Sequence, residues 1–312
     1  MIKNNTIYDC FTFYNELDLL EIRLNELNSV ADYFVIVEAN QTQTGFPKKL
    51  YYEENKERYK LFHKKIIHII VKDMPDIKYN NSWVLENYQR NQIVRGLIKC
   101  NDNDIIFISD LDEIPNKKDF PEIITRLTKK RTFVEKTNRI ININLLYFFN
   151  LFNSPALNLK NKIFRKINRT IERVFPNKNI VELNQRWYFY YLNGDSNHSA
   201  ITTRVCKYIT LKKDLQCKPH NIRNIFSGNR INSGWHFTYL KGAKCMNNKL
   251  NAYTDYVVNP HKKTTYNSLV LLNENKAYIV NKITNINFVK IDNTFPEYIQ
   301  QNKNKLKKYI KW

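Results

Sequence analysis

Apolar positions in the first third of the chain alternate between uninterrupted runs and helical stripes. Ile7 to Tyr14 is a short run rich in aromatics and reads as a strand. Asn15-Glu16-Leu17-Asp18 then opens a helix, with Asn15 as N-cap and Glu16 and Asp18 in the first turn, where the helix dipole favours negative charge. Leu17, Leu20, Leu24 and Leu27 make its apolar stripe at 3-4-3 spacing. Further strand-like runs follow at Asp32 to Glu38, Lys65 to Val71 and Asp104 to Asp110, with a helix expected from Trp83 to Lys99. Runs apolar on both faces and separated by helices predict an α/β fold, a mostly parallel central sheet flanked by helices and joined by right-handed crossovers.

After about residue 120 the pattern changes. Arg131 to Asn150 and Arg186 to Leu192 read as aromatic-rich strands, and Asn158 to Thr170 as a basic loop. Trp235 to Tyr239 precedes a helix-like stretch, Gly242 to Tyr256. The Lys-rich end from Gln301 is expected to be a solvated helix end or arm. No repeat or Pro/Ser-rich linker divides the 312 residues, so one domain with a sheet extension is the simplest organisation.

Composition removes several classes of function. The six glycines show neither G-x-G-x-x-G nor P-loop spacing, which excludes both phosphate-binding fingerprints as written. Five scattered cysteines without C-x-x-C fit neither a zinc ribbon nor a disulfide framework. The amino terminus shows no apolar h-region or cleavage site, and no run reaches the roughly 18 apolar residues of a membrane span, so a soluble, cytoplasmic protein is expected. The net charge of +21 would attract polyanions. Its lysines are scattered among many Asn and Ile, the pattern of AT-rich codons, so nucleic acid is not the expected partner.

In a parallel sheet, ligands bind beyond the carboxyl ends of the strands. Three such ends are polar: Asn15-Glu16, Glu38-Ala39-Asn40, and Asp110-Leu111-Asp112-Glu113. In an extended chain Asp110 and Asp112 point the same way, and two nearby carboxylates repel unless a cation lies between them. Mg²⁺ or Mn²⁺, with substrate phosphates completing the shell, resolves this; an acidic turn capping the next helix is the alternative. Arg90 and Asn91 lie on the preceding helix, where a guanidinium could meet phosphate oxygens or simply face solvent. Gly234-Trp235-His236 adds an imidazole able to ligate Mn²⁺ and an indole able to stack on a sugar or base; both residue types are also common structural ones.

Taken in order, YDCFTFYNELDLLEIRLNEL (8–27), DYFVIVEANQTQTGFPKKLYY (32–52), KIIHIIV (65–71), ENYQRNQIVRGL (86–97), DIIFISDLDEIP (104–115) and GWHFTYLKG (234–242) resemble glycosyltransferase family 17, the group of the β-1,4-mannosyl-glycoprotein β-1,4-N-acetylglucosaminyltransferases and their microbial and viral relatives. The resemblance is dense from Tyr8 to about Pro115, thin through 120–230, and returns at 234–242. It implies a GT-A-type nucleotide-sugar fold over residues 1–300, with 1–120 as the nucleotide-sugar-binding half, 121–300 as the acceptor-side half, and 301–312 as a basic tail. It also implies an inverting, metal-dependent transfer from a UDP-sugar, with N-acetylglucosamine as the first guess, to a glycan or glycoconjugate. In that picture Asp110, Asp112 and His236 hold Mn²⁺ or Mg²⁺. Asn15, Glu16, Glu38 and Asn40 border the nucleoside, Arg90 and Asn91 the diphosphate, and Trp235 the donor. Inversion needs a carboxylate base, for which Asp255 and Glu113 are the candidates. Two other readings stay open: a metal-dependent phosphotransfer enzyme acting on nucleic acid, and a binding protein on a degenerate transferase fold. Docking of the 158–170 stretch and the tail on an anionic membrane stands beside a solvated basic face without a partner.

Overall fold

The computed structural model describes residues 5–76, 82–128, 179–223, 225–240 and 286–312. Its first half follows the predicted alternation. Strands β1 (Ile7–Phe13), β2 (Tyr33–Ala39), β3 (Ile66–Val71) and β4 (Ile105–Asp110) pair in parallel in the order β3-β2-β1-β4. Helix α1 (Leu17–Leu27) joins β1 to β2, α2 (Tyr51–Asn55) precedes β3, and α3 (Ser82–Asn91) precedes β4. The strands are apolar throughout because both faces are covered. Phe34 and Ile36 join the core cluster that contains α1, while Val35 and Val37 join the cluster that contains Ile93 and Leu97.

The remainder corrects the expectation of a mostly parallel sheet. Two residues separate β4 from β5 (Glu113–Ile114), and four separate β6 (Ile180–Phe189) from β7 (Gly194–Lys207). A parallel crossover needs about a dozen residues, so connections this short turn the chain back on itself. β7 pairs antiparallel with both β4 and β6, and β5 antiparallel with β8 (Arg230–Thr238), while β6 and β8 run parallel. The sheet among the described residues is therefore mixed, in the order β3-β2-β1-β4-β7-β6-β8-β5, with β9 (Asn287–Phe288) on β7.

Local details depart from the sequence reading at three further places. Helix α1 starts at Leu17 without a side-chain cap; the Asn15 amide instead donates to Glu16 Oε2 at 3.2 Å. The helix expected over 83–99 breaks after Asn91 into a 3-10 turn, Gln92–Gly96, pressed so closely on the sheet that a Cβ on Gly96 would lie 2.5 Å from Val35 Cγ1. The chain end is packed rather than a free arm. Leu306, Tyr309 and Ile310, spaced to share one side, enter the core cluster of α1, and the Tyr309 hydroxyl donates to Asp18. Trp312 and most of its lysines face outward, and Lys305 and Lys308 pair with Glu21 and Asp18. The elements expected over 131–150, 158–170 and 242–256 lie outside the described residues, as do Asp255 and Cys245.

One polar group crosses the core. Arg23, fully buried on α1, makes a two-pronged ion pair with Asp9 of β1 at 2.6 and 2.8 Å and donates to Ser109 Oγ at 2.6 Å. Its remaining nitrogen reaches the carbonyl oxygens of Asp110, Leu111 and Glu113 at 2.8, 3.1 and 2.9 Å. Breaking one side of a buried pair leaves the other charge without compensation, at about 3–5 kcal/mol. Arg23→Met is expected to lose that much stability in urea unfolding followed by tryptophan fluorescence, with part of it restored when Asp9→Asn is added. Tyr309→Ala is expected to cost about 3–5 kcal/mol, the range for removing a buried aromatic ring, and Trp312→Ala almost nothing in the same measurement.

Candidate active site at the carboxyl end of the parallel strands

β1, β2 and β4 run in the same direction and end together: Phe13 pairs with Glu38 and Thr12 with Asp110. At that edge the chain leaves β4 through Asp110-Leu111-Asp112 and enters β5 at Glu113. Arg23 grips the turn from below by three carbonyls, and the fourth, of Asp112, accepts from Phe237 N at 2.9 Å. Every carbonyl from 110 to 113 is thus satisfied, and the turn is fixed from below.

From above come two arginines. Arg90, in the last turn of α3, donates to Asp110 Oδ1 at 2.7 Å and to Glu86 Oε1 at 3.0 Å. Thr12 Oγ1 adds a bond to the same Asp110 oxygen at 3.3 Å. Arg223 ends a short helix: α4 is Phe120–Thr128, α5 Tyr208–Lys213, and this one, α6, Pro219–Arg223. Its guanidinium takes both Glu113 oxygens, at 2.6 and 2.9 Å, and Asp110 Oδ2 at 3.1 Å. Burial alone would raise the Asp110 pKa; the charges of Arg90 and then Arg223 reverse that and hold the carboxyl well below the usual range. Asp110 is therefore ionised at any working pH.

Sequence reasoning placed Arg90 near this cluster but missed Arg223, which is one basic residue among many until the fold brings α6 over β5. Asn91, expected at the diphosphate, is what docks α6. Its Oδ1 accepts from His220 N at 3.2 Å and faces His220 Nδ1 at 2.8 Å. Glu113, a candidate base, is buried and committed: besides Arg223 it accepts the Asp110 amide at 2.9 Å. The geometry makes it a strut of the turn.

Asp112 Oδ1 lies 3.5 Å from His236 Nε2, across the β5–β8 ladder. On the other side of that ring, Trp187 Nε1–H donates to His236 Nδ1. Indole nitrogen is only a donor, so Nδ1 is the acceptor and the neutral ring carries its proton on Nε2, toward Asp112. His236 thus lies between Trp187 and Asp112, its Nε2 3.5 Å from the carboxylate.

The other sequence candidates separate. Glu38 is fully buried, with its oxygens on the amides of Tyr52 and Glu53 at 3.0 and 3.4 Å and on His68 Nε2 at 3.1 Å. It serves the amino terminus of α2, where a carboxylate complements the exposed amides. Asn40 is exposed, and its backbone pairs with Val71 and Lys48. Asn15 and Glu16 stay at the end of β1. There Lys48, absent from the sequence reading, sits 5.7 and 5.5 Å over the rings of Tyr14 and Tyr51. Burial lowers its pKa against the pull of Glu38 and Glu16. Trp235 is buried and donates to the Thr294 carbonyl at 2.9 Å. It lines a cavity of about 420 Å³ with Asn184, Arg186 and Asn232, and successive residues of a strand face opposite ways, so this cavity is on the other side of the sheet from His236.

Whether a divalent cation fits follows from the donors. Among the described residues no three His, Cys, Asp or Glu side chains form a ready cage. Mg²⁺ and Mn²⁺ in phosphate sites take one or two carboxylates and complete the shell with substrate oxygens and water. Asp110 and Asp112 meet that requirement: both project from one rigid turn at the ligand edge, and the Asp110 side chain is 29% exposed. The acidic pair fits such an ion, and His236 Nε2 lies 3.5 Å from an Asp112 oxygen.

Among the described residues no helix is long and apolar enough to cross a membrane. Residues 2–134 match the sequence model of Glycosyltransferase family 17. Three curated relatives are β-1,4-mannosyl-glycoprotein 4-β-N-acetylglucosaminyltransferases. The chain is similar to that of Homo sapiens at 30% identity over 107 residues (32% of this chain, 20% of the relative). Those of Rattus norvegicus and Mus musculus are 28% and 27% identical over 115 residues (35% of this chain, 21% of the relative). The chain therefore matches about a fifth of the length of these relatives. The match to glycosyltransferase family 17 thus spans residues 2–134, less than half of the chain, the segment that builds the parallel strands and carries Asp110 and Asp112.

Proposed function

We propose that this protein is a glycosyltransferase that moves a sugar from a nucleotide-sugar donor to a glycan or glycoconjugate acceptor. The observation that carries this reading is the rigid Asp110-Leu111-Asp112 turn at the carboxyl end of the parallel strands, inside the segment that matches the family. The relatives' names make a UDP-sugar the donor to try first, and N-acetylglucosamine its sugar; a GT-A-type arrangement of the donor half goes with the same reading. Asp110 and Asp112 would hold Mn²⁺ or Mg²⁺. Such an ion, when bound, supplies positive charge for the diphosphate as it departs.

This chain's own residues do the remaining work. Arg23 fixes the turn, so the carboxylates need no reorganisation when the donor arrives. Arg90 keeps Asp110 ionised and aimed at the edge. His236, itself oriented by Trp187, keeps Asp112 in place. For an inverting transfer the acceptor hydroxyl attacks from the side opposite the diphosphate and gives its proton to a carboxylate. Asp255 and Glu113, the latter held by Arg223 in the free protein, are the bases to test.

UDP is expected to raise the thermal midpoint of the full chain only when Mn²⁺ is present, by up to about 2.7 kcal/mol of linkage at a hundredfold excess over its dissociation constant. Asp112→Ala is expected to remove that shift without lowering the midpoint of the ligand-free protein by more than a few degrees. Stabilisation by oligonucleotides with steep salt dependence, and none by UDP, would reject the reading in favour of a nucleic-acid-binding one.

A further inference from the structure

We propose that Arg223 is a diphosphate ligand held in reserve: in the free protein it occupies the acidic turn, and it passes to the diphosphate when nucleotide and cation enter together. This rests on the reading of the turn as a nucleotide-sugar site, and it adds a binding residue from outside the segment that matches the family.

The positions of the charges carry the inference. Asp110 Oδ1 is held from the interior by Arg90 and Thr12, whereas Oδ2 is held by Arg223. An ion that takes up Oδ2 therefore has to displace Arg223. Of the two arginines on Asp110, Arg223 is the more exposed: its side chain is 23% exposed, against 4% for Arg90. Its backbone anchor does not depend on that side chain, because α6 is fastened to α3 through Asn91 and His220. A long guanidinium arm on a fixed helix end can change partners without moving the fold.

Arg90, Arg204 and Arg223 lie close enough to oppose one another's charge. Arg204 is buried, with its Nε lacking a hydrogen-bond partner, and its Nη2 reaches the Arg223 carbonyl at 3.5 Å. A divalent ion added alone would put two more positive charges against this group. A diphosphate added alone would meet Asp110, Asp112 and Glu113. Entering together, the ion replaces Arg223 on Asp110 while the phosphate oxygens accept the released guanidinium in its preferred two-pronged geometry. Cation and nucleotide then each raise the other's affinity, by the same factor.

Two binding measurements on the full chain test this: Mn²⁺ alone by electron spin resonance, and UDP by calorimetry at saturating Mn²⁺. In Arg223→Gln the affinity for Mn²⁺ alone is expected to rise about tenfold, because its competitor is gone. The affinity for UDP in Mn²⁺ is expected to fall about tenfold, within the usual range of coupling between sites. Arg223→Lys, which keeps the charge but not the fork, should recover part of the UDP affinity. If Arg223→Gln does not fold, judged by near-ultraviolet circular dichroism, Glu113→Gln/Arg223→Gln removes both charges of the pair, and the same weakened UDP binding is expected. A variant that weakens both ligands, or neither, while the wild type binds Mn²⁺ and UDP, overturns the role of Arg223 alone. A wild type that binds neither ligand overturns the donor-site reading and this inference with it.

Discussion

The geometry of the acidic turn depends on one buried guanidinium. A chain that leaves a parallel strand and turns back within two residues strands its carbonyl groups, and buried carbonyls without partners are costly. Arg23 donates to three of them at once while Asp9 balances its charge inside the sheet. A buried ion pair is often a poor source of stability, since desolvation consumes much of the attraction. Here the pair does something an apolar substitute cannot. It supplies five fixed donors at the place where the ladder ends, and so holds Asp110 and Asp112 at one separation and one orientation.

The second constraint is local charge balance. The chain carries a net +21, yet this total says little about the site, because exposed charges beyond about 10 Å are screened at ordinary ionic strength. What matters at the edge is that Asp110, Glu113 and Glu86 face Arg90 and Arg223 within hydrogen-bond distance. Arg90 and Arg223 hold the Asp110 carboxyl below its usual range against the effect of burial, and guanidinium groups are strong partners for anions. A site made only of carboxylates would take up protons instead, and one made only of arginines would repel the cation that a diphosphate brings.

The parts of this arrangement visible in the sequence are those encoded locally. Strands β1 to β4 announce themselves as runs apolar on both faces, α1 as a leucine stripe, and Asp110-x-Asp112 by its place after a buried run. Residues whose meaning depends on partners far along the chain were not legible. Arg23 lies on the buried side of a leucine helix, where an arginine signals a partner but not which one; Asp9, in an otherwise apolar strand, was the matching clue. Arg223, Trp187 and Lys48 carry no local mark at all. Glu38 and Trp235 show the converse: a polar or amphipathic residue at a strand end suits both a ligand and the scaffold, and the fold spends these two on α2 and on Thr294. The mixed sheet and the packed chain end were missed because turn length and the spacing of Leu306, Tyr309 and Ile310 weigh less in a local pattern than the lysines around them.

The division between matched and unmatched residues has a structural counterpart. Asp110, Asp112, Glu113, Arg90 and Arg23 all fall within 2–134, and they alone would make a turn with an unbalanced excess of carboxylates on its outer side. The groups that complete it, Arg223 on Glu113 and the Trp187–His236 pair on Asp112, come from α6, β6 and β8, beyond the matched segment. The matched segment thus provides the scaffold and the acidic pair, while residues beyond it supply the groups packed against those side chains. A change at Trp187 of β6 or His236 of β8 alters the ring behind Asp112, so the arrangement of the candidate site depends on residues outside the matched segment as much as on those within it.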